Sequence, residues 1–269
     1  MTSPSWDPRQ YLRFEAERAR PWYDLLARLA DLDPTNIVDL GCGPGHLTVT
    51  LADRWHFARI EGIDSSPEMI KLARSVAMPG RVQFTLGDIA EWSPAQPLDL
   101  IVSNAALQWL PDHLELLQTW VRRSLAPGGA LAFQVPANRQ ARANEIFRAV
   151  AGSPRWADRL GAIAGGTGPS AARGSVREPR EYAEALAALG CAVDVWETTY
   201  IHVLDGDDPV LEWFAGTGLR PYLDALGDDD AARDEFRAEL AAALREAYPR
   251  HEYGTLLPFR RVFGVARVH

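Results

Sequence analysis

The sequence NIVDLGCGPG, residues 36–45, decides the fold of this chain. Its apolar first half predicts a buried parallel strand that ends at Leu40, and a helix is predicted from Leu47 to Arg54. Between them lies a turn with three alternating glycines, which admit a ligand against bare backbone: Gly41, Gly43 and Gly45. A glycine-rich turn between a strand and a helix is typical of a nucleotide-cofactor site.

The spacing of this turn separates two classes of cofactor. A dinucleotide fingerprint G-x-G-x-x-G that began at Gly41 would require glycine at position 46, where the chain has His46. The carboxylate of Asp39 would also repel a pyrophosphate, whereas it would attract a positively charged ligand. The spacing therefore disfavours an NAD-dependent oxidoreductase. The alternative without any cofactor is a tight bend that Asp39 caps.

Acidic residues also follow the next two predicted strands. Residues 59–63 form a strand that ends at Asp64, about twenty residues beyond the glycine turn, where a carboxylate can accept bonds from both hydroxyls of a ribose. A third strand, residues 82–86, leads to Asp88. Aspartate is common in turns, but acidic residues after three successive strands indicate a shared site.

The pattern Asp-x-Gly-x-Gly-x-Gly resembles the first motif of the class I S-adenosylmethionine-dependent methyltransferases. In that family the acidic residue lies near the amino-acid end of the cofactor. The segment at residues 87–89 resembles the family's adenine-edge segment, and residues 104–112 also match the family pattern. The resemblance implies S-adenosylmethionine as cofactor and these binding residues: Asp39, Gly41, Gly43, Gly45, Asp64, Ser65, Asp88, Ile89, Asn104 and Ala105.

Strand and helix signals alternate from residue 36 to about 150, with further strands predicted at 98–103 and 130–135. This alternation predicts an α/β fold with a doubly wound, mostly parallel sheet and a ligand crevice at the carboxyl ends of its strands. The resemblance implies seven strands in a Rossmann-like arrangement with helical lid additions. The alternating run 261–268 is predicted as a last, edge-directed strand.

The chain length of 269 residues fits one elaborated domain, residues 1–269. We expect a cofactor core at about 32–138 and an N-terminal helical segment at 1–31. Two helical insertions, at about 139–189 and 205–258, are predicted to form a substrate lid together with that segment.

Net charge, apolar stretches and the spacing of cysteines and histidines argue against several kinds of partner and site. The net charge of −8 argues against a nucleic-acid surface, which would need a basic face. No apolar stretch is long enough to span a bilayer, and Cys42 and Cys191 lack metal or redox spacing, so we expect a cytoplasmic protein. The histidines lack metal-ligand spacing and are expected to be structural, and no metal is predicted: His113, His202 and His251. Nothing in the sequence indicates an obligate protein partner.

Arginines interleave with aromatic residues in two segments. Residues 6–14 and 217–222 both mix guanidinium groups with rings, and such mixtures suit a small anion. These segments, with residues 107–113 and the final run from Arg261, closely resemble the bacterial trans-aconitate 2-methyltransferase family over nearly the whole chain. The resemblance implies a tricarboxylate substrate. The candidate substrate-binding residues are Tyr11, Arg18, Arg20, Trp109, Asn138, Tyr200, Arg220 and Arg261.

The chemistry of such a reaction explains the lack of a nucleophile and base pair. A carboxylate is already ionised at neutral pH, so no residue need act in acid or base catalysis and positioning remains the main task. We expect Arg18, Arg220 and Arg261 to hold the nonreacting carboxylates, with Arg20 and Asn138 as further candidates. Softer donors are expected beside the reacting oxygen: Tyr11, Tyr200 or Trp109.

Other functions remain open on the sequence alone. The same machinery could methylate another small carboxylic acid, and an oxidoreductase or a catalytically silent binding module belongs to a different class. Binding of S-adenosylhomocysteine or of NAD would discriminate between the two cofactor classes.

Overall fold

The structure is a computed structural model that describes residues 14–165 and 176–269. The predicted contacts of Tyr11 and of the aromatic segment around it therefore lie outside the described residues. Of the helices that are described, none is both long enough and apolar enough to cross a membrane.

One sheet forms the centre of the molecule, with the strand order β3-β2-β1-β4-β5-β8-β6 and a short β7 paired with β8. The strands are β1 (Asn36–Leu40), β2 (Arg59–Asp64), β3 (Val82–Leu86), β4 (Leu98–Asn104), β5 (Leu125–Pro136), β6 (Ala192–Leu204), β7 (Arg250–His251) and β8 (Gly254–Arg267). The five strands β1 to β5 pair in parallel, whereas β8 is antiparallel to β5 and to β6. The prediction of a mostly parallel α/β sheet is confirmed, and in the part of the chain that the structure describes the two-residue β7 adds an eighth strand to the predicted seven.

The prediction that the last strand lies toward the sheet edge is wrong. β8 inserts between β5 and β6, and β6 forms the edge instead. Residues 261–266 are buried without interruption, as in a strand covered on both faces, while exposed residues recur along β6. The continuous apolar run of β8 therefore indicates the position of the strand in the sheet better than its partial alternation does.

Helices cover both faces of the sheet and form an additional layer. They are α1 (Glu15–Ala27), α2 (Thr50–Arg54), α3 (Pro67–Ser75), α4 (His113–Ser124), α5 (Arg142–Ala151), α6 (Ala157–Ala164), α7 (Pro179–Ala187), α8 (Pro209–Ala215), α9 (Arg220–Leu226) and α10 (Asp230–Ala247), with a 3-10 turn at Leu107–Trp109. The predicted helix after the glycine turn starts later than expected, at Thr50, because residues 45–49 form turns. The second insertion is helical only to Ala247, since β7 and β8 occupy its predicted end.

The buried apolar residues within the described ranges form three clusters. Two of them lie on opposite faces of the sheet, because neighbours along β1 such as Ile37 and Val38 belong to different clusters. The third cluster joins helices α5, α6 and α8–α10 with the ends of β6 and β8. Burial of large side chains such as Trp156 and Phe236 there stabilises the helical layer by roughly 1.5–3 kcal/mol each.

Strand register places this helical layer relative to the crevice. Pro136, the last residue of β5, pairs with Arg261, so residues 254–260 of β8 extend past the carboxyl end of the parallel strand. Phe259 in this extension pairs with Tyr200 on β6 and belongs to the helical cluster. The helical layer therefore stands beside the carboxyl ends, where ligands of such sheets bind.

Candidate active site

The glycine turn between β1 and α2 combines close packing with open space. Gly41, Gly43 and Gly45 have φ values of 85°, 54° and 80°, which other residues rarely adopt. A Cβ at Gly41 would lie 2.2 Å from the Cβ of Ala106, and one at Gly45 would lie 2.6 Å from the ring of Phe84. At Gly43 a Cβ would meet no described atom within 4 Å. Two glycines are thus needed for packing, while the third leaves room for a ligand.

Asp39 lies beneath this turn with only 2% of its surface exposed. Its Oδ2 accepts a hydrogen bond of 2.6 Å from the hydroxyl of Thr48, whereas Oδ1 is buried without a hydrogen-bond partner in the described ranges. Burial raises the pKa of the carboxyl group to about 7. A cation bound at the turn would favour the ionised form, so the residue fits a positively charged ligand.

Asp64 joins the glycine turn to the next helix. Its Oδ2 accepts from the backbone N–H of Gly43 and its Oδ1 from that of Ser66, both at 2.9 Å. Ser66 caps α3, and Ser65 beside it is exposed. Burial raises the pKa of Asp64, whereas these backbone hydrogen bonds lower it and so offset part of the rise. Each carboxylate oxygen keeps a second lone pair, so the geometry remains compatible with ribose hydroxyls.

The segment after β3 presents one polar and one apolar side chain. Asp88 is exposed and its Oδ1 accepts from the N–H of Ala90 at 2.8 Å, which leaves the other carboxylate oxygen outside this turn. Ile89 is buried with 7% exposure. This arrangement suits the predicted contacts with the edge and the face of an adenine ring.

Asn104 is the last residue of β4, and Ala105 follows it beside the glycine turn. Ala105 has a φ of 56°, a left-handed conformation that costs a non-glycine residue about 1–2 kcal/mol. Asn104 Oδ1 accepts from Nε2 of Gln134 at 2.5 Å, and Oε1 of Gln134 accepts from Nη1 of Arg261 at 3.1 Å. One buried amide therefore connects the predicted cofactor segment with a predicted substrate-binding arginine.

Three predicted substrate residues cluster around one histidine, and we call this cluster with its aromatic rings the arginine pocket. The guanidinium of Arg18 lies 5.2 Å from the ring centre of Trp213, that of Arg20 lies 5.0 Å from Tyr200, and that of Arg261 lies 5.0 Å from Phe259. Cation–π contacts of this kind fix the charged groups against apolar surface. Residues 18 and 20 come from α1, while the other residues come from β6, α8 and β8.

All three of these rings contact the imidazole of His202. Its ring centre lies 4.6 Å from Trp213, 6.2 Å from Tyr200 and 6.1 Å from Phe259. His202 is 2% exposed, and burial followed by the charges of Arg261, Arg20 and Arg18 lowers its pKa to about 4. The imidazole is therefore neutral at neutral pH although it faces cations.

Two predicted residues have side chains that also bond to the protein. The hydroxyl of Tyr200 donates to Oδ2 of Asp24 at 2.5 Å, and burial raises the pKa of the phenol. The amide of Asn138 donates to the backbone oxygen of Arg260 at 2.9 Å and accepts from its N–H at 2.7 Å. Tyr200 thus contributes its ring to the arginine pocket, and Asn138 supports the strand that carries Arg261.

Trp109 and Arg220 lie on other elements. Trp109 is half-buried in the 3-10 turn that follows the cofactor segment. Arg220 is half-buried at the first residue of α9, in the helical layer. Their contacts with a substrate remain predictions, as does that of Tyr11.

Sequence reasoning missed several of the described residues around the candidate site, among them Thr48, Gln134 and His202. Thr48, which donates to Asp39, had a weak signal as the hydroxyl residue inside the turn. Gln134 had none, because its neighbours come from β4 and β8. His202 was expected to be structural, and only the fold surrounds it with arginines. In contrast, His113 fits the structural expectation, since its ring nitrogens lie within hydrogen-bond distance of Leu110 and Tyr182.

Comparisons with known proteins identify the family of the chain. The model of a family described as a methyltransferase domain matches residues 14–194. Relatives that resemble the chain over nearly its full length bear the name trans-aconitate 2-methyltransferase, and two of them are from Streptomyces. The one from Streptomyces avermitilis is 54% identical over 98% of this chain and 97% of its own length, and the one from Streptomyces coelicolor is 53% identical over 99% and 88%.

Similarity of fold extends further. A chain from a Haloferax volcanii complex between the Trm112 methyltransferase activator and a methyltransferase superposes with a TM-score of 0.52. It is 21% identical and covers 98% of this chain and 95% of that chain, which supports the fold alone. The fold and the glycine turn thus define a Rossmann-like class I methyltransferase. Within that class, the chain belongs to the trans-aconitate 2-methyltransferase family.

Proposed function

We propose that this chain transfers a methyl group from S-adenosylmethionine to a carboxylate of trans-aconitate, giving a monomethyl ester and S-adenosylhomocysteine. The observation that carries the proposal is the arginine pocket, in which the guanidiniums of Arg18, Arg20 and Arg261 surround one neutral histidine. A small acid with several carboxylates matches this charge. The names of the relatives support the same acceptor.

The residues around the glycine turn fit the donor. Asp39 would offer negative charge to the cationic end, and this role is supported by its buried Oδ1, which has no hydrogen-bond partner among the described residues. Asp64, which accepts from the N–H of Gly43, would accept from the ribose as well. Gly43 leaves open space above the turn. When bound, S-adenosylmethionine supplies a methyl group on a positively charged sulfur.

The arginines would bind and orient the acceptor. Guanidinium groups meet carboxylates through parallel, charge-assisted hydrogen bonds, each contributing roughly 1.5–3 kcal/mol. Arg18 also donates to the backbone oxygen of Trp213 at 3.1 Å, and Arg261 to Gln134 at 3.1 Å, so both side chains are held in place by the protein. Held guanidiniums lose less freedom on binding, which favours a fixed orientation of the acceptor.

Positioning and exclusion of water would account for the rate. The residues must hold an acceptor oxygen about 3–3.5 Å from the methyl carbon and in line with its bond to sulfur. Opposite charges on donor and acceptor cancel during transfer, so water stabilises the reactants more than the transition state. Buried rings such as Trp213 and Phe259 favour the reaction by keeping the pocket dry.

Two measurements test the proposal. Calorimetry should detect binding of S-adenosylhomocysteine and not of NAD; the reverse result would remove the methyltransferase assignment. Incubation with methyl-labelled donor and a panel of di- and tricarboxylates, followed by NMR, should identify a monomethyl ester of trans-aconitate. If another acid in the panel turned over faster, the methyl transfer would stand, but trans-aconitate would be wrong as the acceptor.

A further inference from the structure

We propose that His202 donates a hydrogen bond from Nδ1 to a carboxylate of the bound acceptor, as the uncharged member of the arginine pocket. This inference rests on the proposed function and deepens it, because it assigns a substrate contact to a residue that the sequence indicated to be structural.

His202 lies at the centre of the arginine pocket. Each of the three arginines lies over one ring, and each of those rings contacts the imidazole: Trp213, Tyr200 and Phe259. An acceptor that bridges guanidiniums from α1 and β8 must therefore pass close to residue 202 on β6.

One ring nitrogen of His202 lacks a hydrogen-bond partner within the described part of the chain. Nδ1 is buried and has no hydrogen-bond partner among the residues that the structure describes, although most buried polar groups are paired. A structural histidine would be expected to resemble His113, whose Nδ1 lies 3.1 Å from a backbone oxygen and whose Nε2 lies 2.6 Å from a hydroxyl. The contrast between these two buried histidines points to a ligand as the partner of His202.

Charged groups face His202 from two of the elements packed around it. Arg18 and Arg20 extend from α1 and Arg261 from β8, and all three oppose protonation of the ring. On α1 there is also Asp24, which accepts from the hydroxyl of Tyr200. On α8 the contacting residue is the uncharged Trp213. The imidazole therefore enters the complex uncharged.

An uncharged donor has a specific use beside a carboxylate nucleophile. A guanidinium would stabilise the negative charge of the reacting oxygen and reduce its nucleophilicity, whereas a neutral N–H can orient the carboxylate with less stabilisation of its charge. Tyr200 cannot serve as that donor while its hydroxyl proton is engaged with Asp24. Nδ1 of His202, which lacks a partner among the described residues, can serve as that donor.

Substitution with a matched pair of residues tests this role. Asparagine places an N–H near the position of Nδ1, and leucine has nearly the same shape without a polar atom. We expect His202→Leu to lower kcat/KM for trans-aconitate roughly 10- to 100-fold, the usual loss for a hydrogen bond to a charged group, and His202→Asn to restore most of it. Both variants should bind S-adenosylhomocysteine like the wild type. Equal kcat/KM values for the two variants would overturn the inference.

A measurement on the wild-type protein does not depend on the folding of variants. With 15N-labelled histidine, the Nδ1 resonance of His202 should shift on addition of trans-aconitate to the complex with S-adenosylhomocysteine. An unchanged resonance under saturating acceptor would contradict the contact. If the wild type methylates trans-aconitate and the resonance does not move, only this inference fails; if the wild type methylates no carboxylate, the proposed function fails as well.

Discussion

At the scale of single residues, Arg260 and Arg261 are neighbours on β8 whose side chains lie in different surroundings. Arg260 is paired with Glu178 and Glu197, at the surface. Arg261 is 5% exposed and contacts Gln134 and the ring of Phe259. The sequence indicated Arg261 through resemblance, but the partners of both arginines come from distant segments. Only the folded chain shows why one guanidinium lies in the pocket.

This difference gives a matched test. Arg261→Gln should lower kcat/KM for trans-aconitate about 10- to 100-fold, because charged hydrogen bonds to the acceptor are lost. Arg260→Gln removes the same charge outside the pocket, where exposed ion pairs contribute about 0–1 kcal/mol, and should keep nearly normal activity. Steady-state kinetics of the two variants measures both effects. Similar losses in both would mean that net charge, rather than the pocket, controls acceptor binding.

Asp39 predicts a pH dependence of donor binding. Burial raises its pKa to about 7 in the ligand-free protein, and a cationic ligand should lower that pKa. Binding then releases a proton, so affinity for S-adenosylmethionine should fall by up to about tenfold per pH unit as the pH decreases below 7. Calorimetry between about pH 5.5 and 7, the range just below the pKa of about 7, measures how affinity changes with pH and so gives this slope. Asp39→Asn should bind more weakly and without that slope, and an equal slope in both proteins would exclude Asp39 as its source.

At the scale of elements, the sequence predicted the β–turn–α unit and the parallel strands, since each is encoded locally by apolar runs and glycines. It misplaced β8, whose position depends on the distant β6 and β5. The arginine pocket likewise assembles from α1, β6, α8 and β8, which are far apart along the chain. Long-range pairing of this kind leaves little trace in the local sequence pattern.

The glycine turn can be tested with two similar glycines. Gly43 and Gly80 both have positive φ, 54° and 78°, and a Cβ on either would meet no described atom within 4 Å. Alanine should therefore destabilise both variants by about 1–2 kcal/mol through backbone strain, as judged by thermal unfolding. Only Gly43→Ala should also weaken binding of S-adenosylhomocysteine, because its methyl group would enter the ligand space. Equal affinities in the two variants would place the cofactor elsewhere.

At the scale of the whole molecule, net charge and local charge have opposite signs. The chain carries −8 overall, yet three guanidiniums gather where β8 extends past the parallel strands. The overall charge disfavours a nucleic-acid surface, and the local gathering of guanidiniums shows how an acidic protein can still present positive charge to a small polyanion. The division into cofactor core and substrate lid remains a proposal that the separate helical cluster supports.

The most direct test of this account is the ratio of kcat/KM for trans-aconitate to that for an unsaturated monocarboxylate with the same double bond. Both acids offer a carboxylate to the donor, but only trans-aconitate has two further carboxylates for the arginines. Loss of two charged contacts, at roughly 1.5–3 kcal/mol each, predicts a ratio on the order of 100 to 10,000 in favour of trans-aconitate. A ratio near one would contradict the claim that the arginine pocket selects the acceptor.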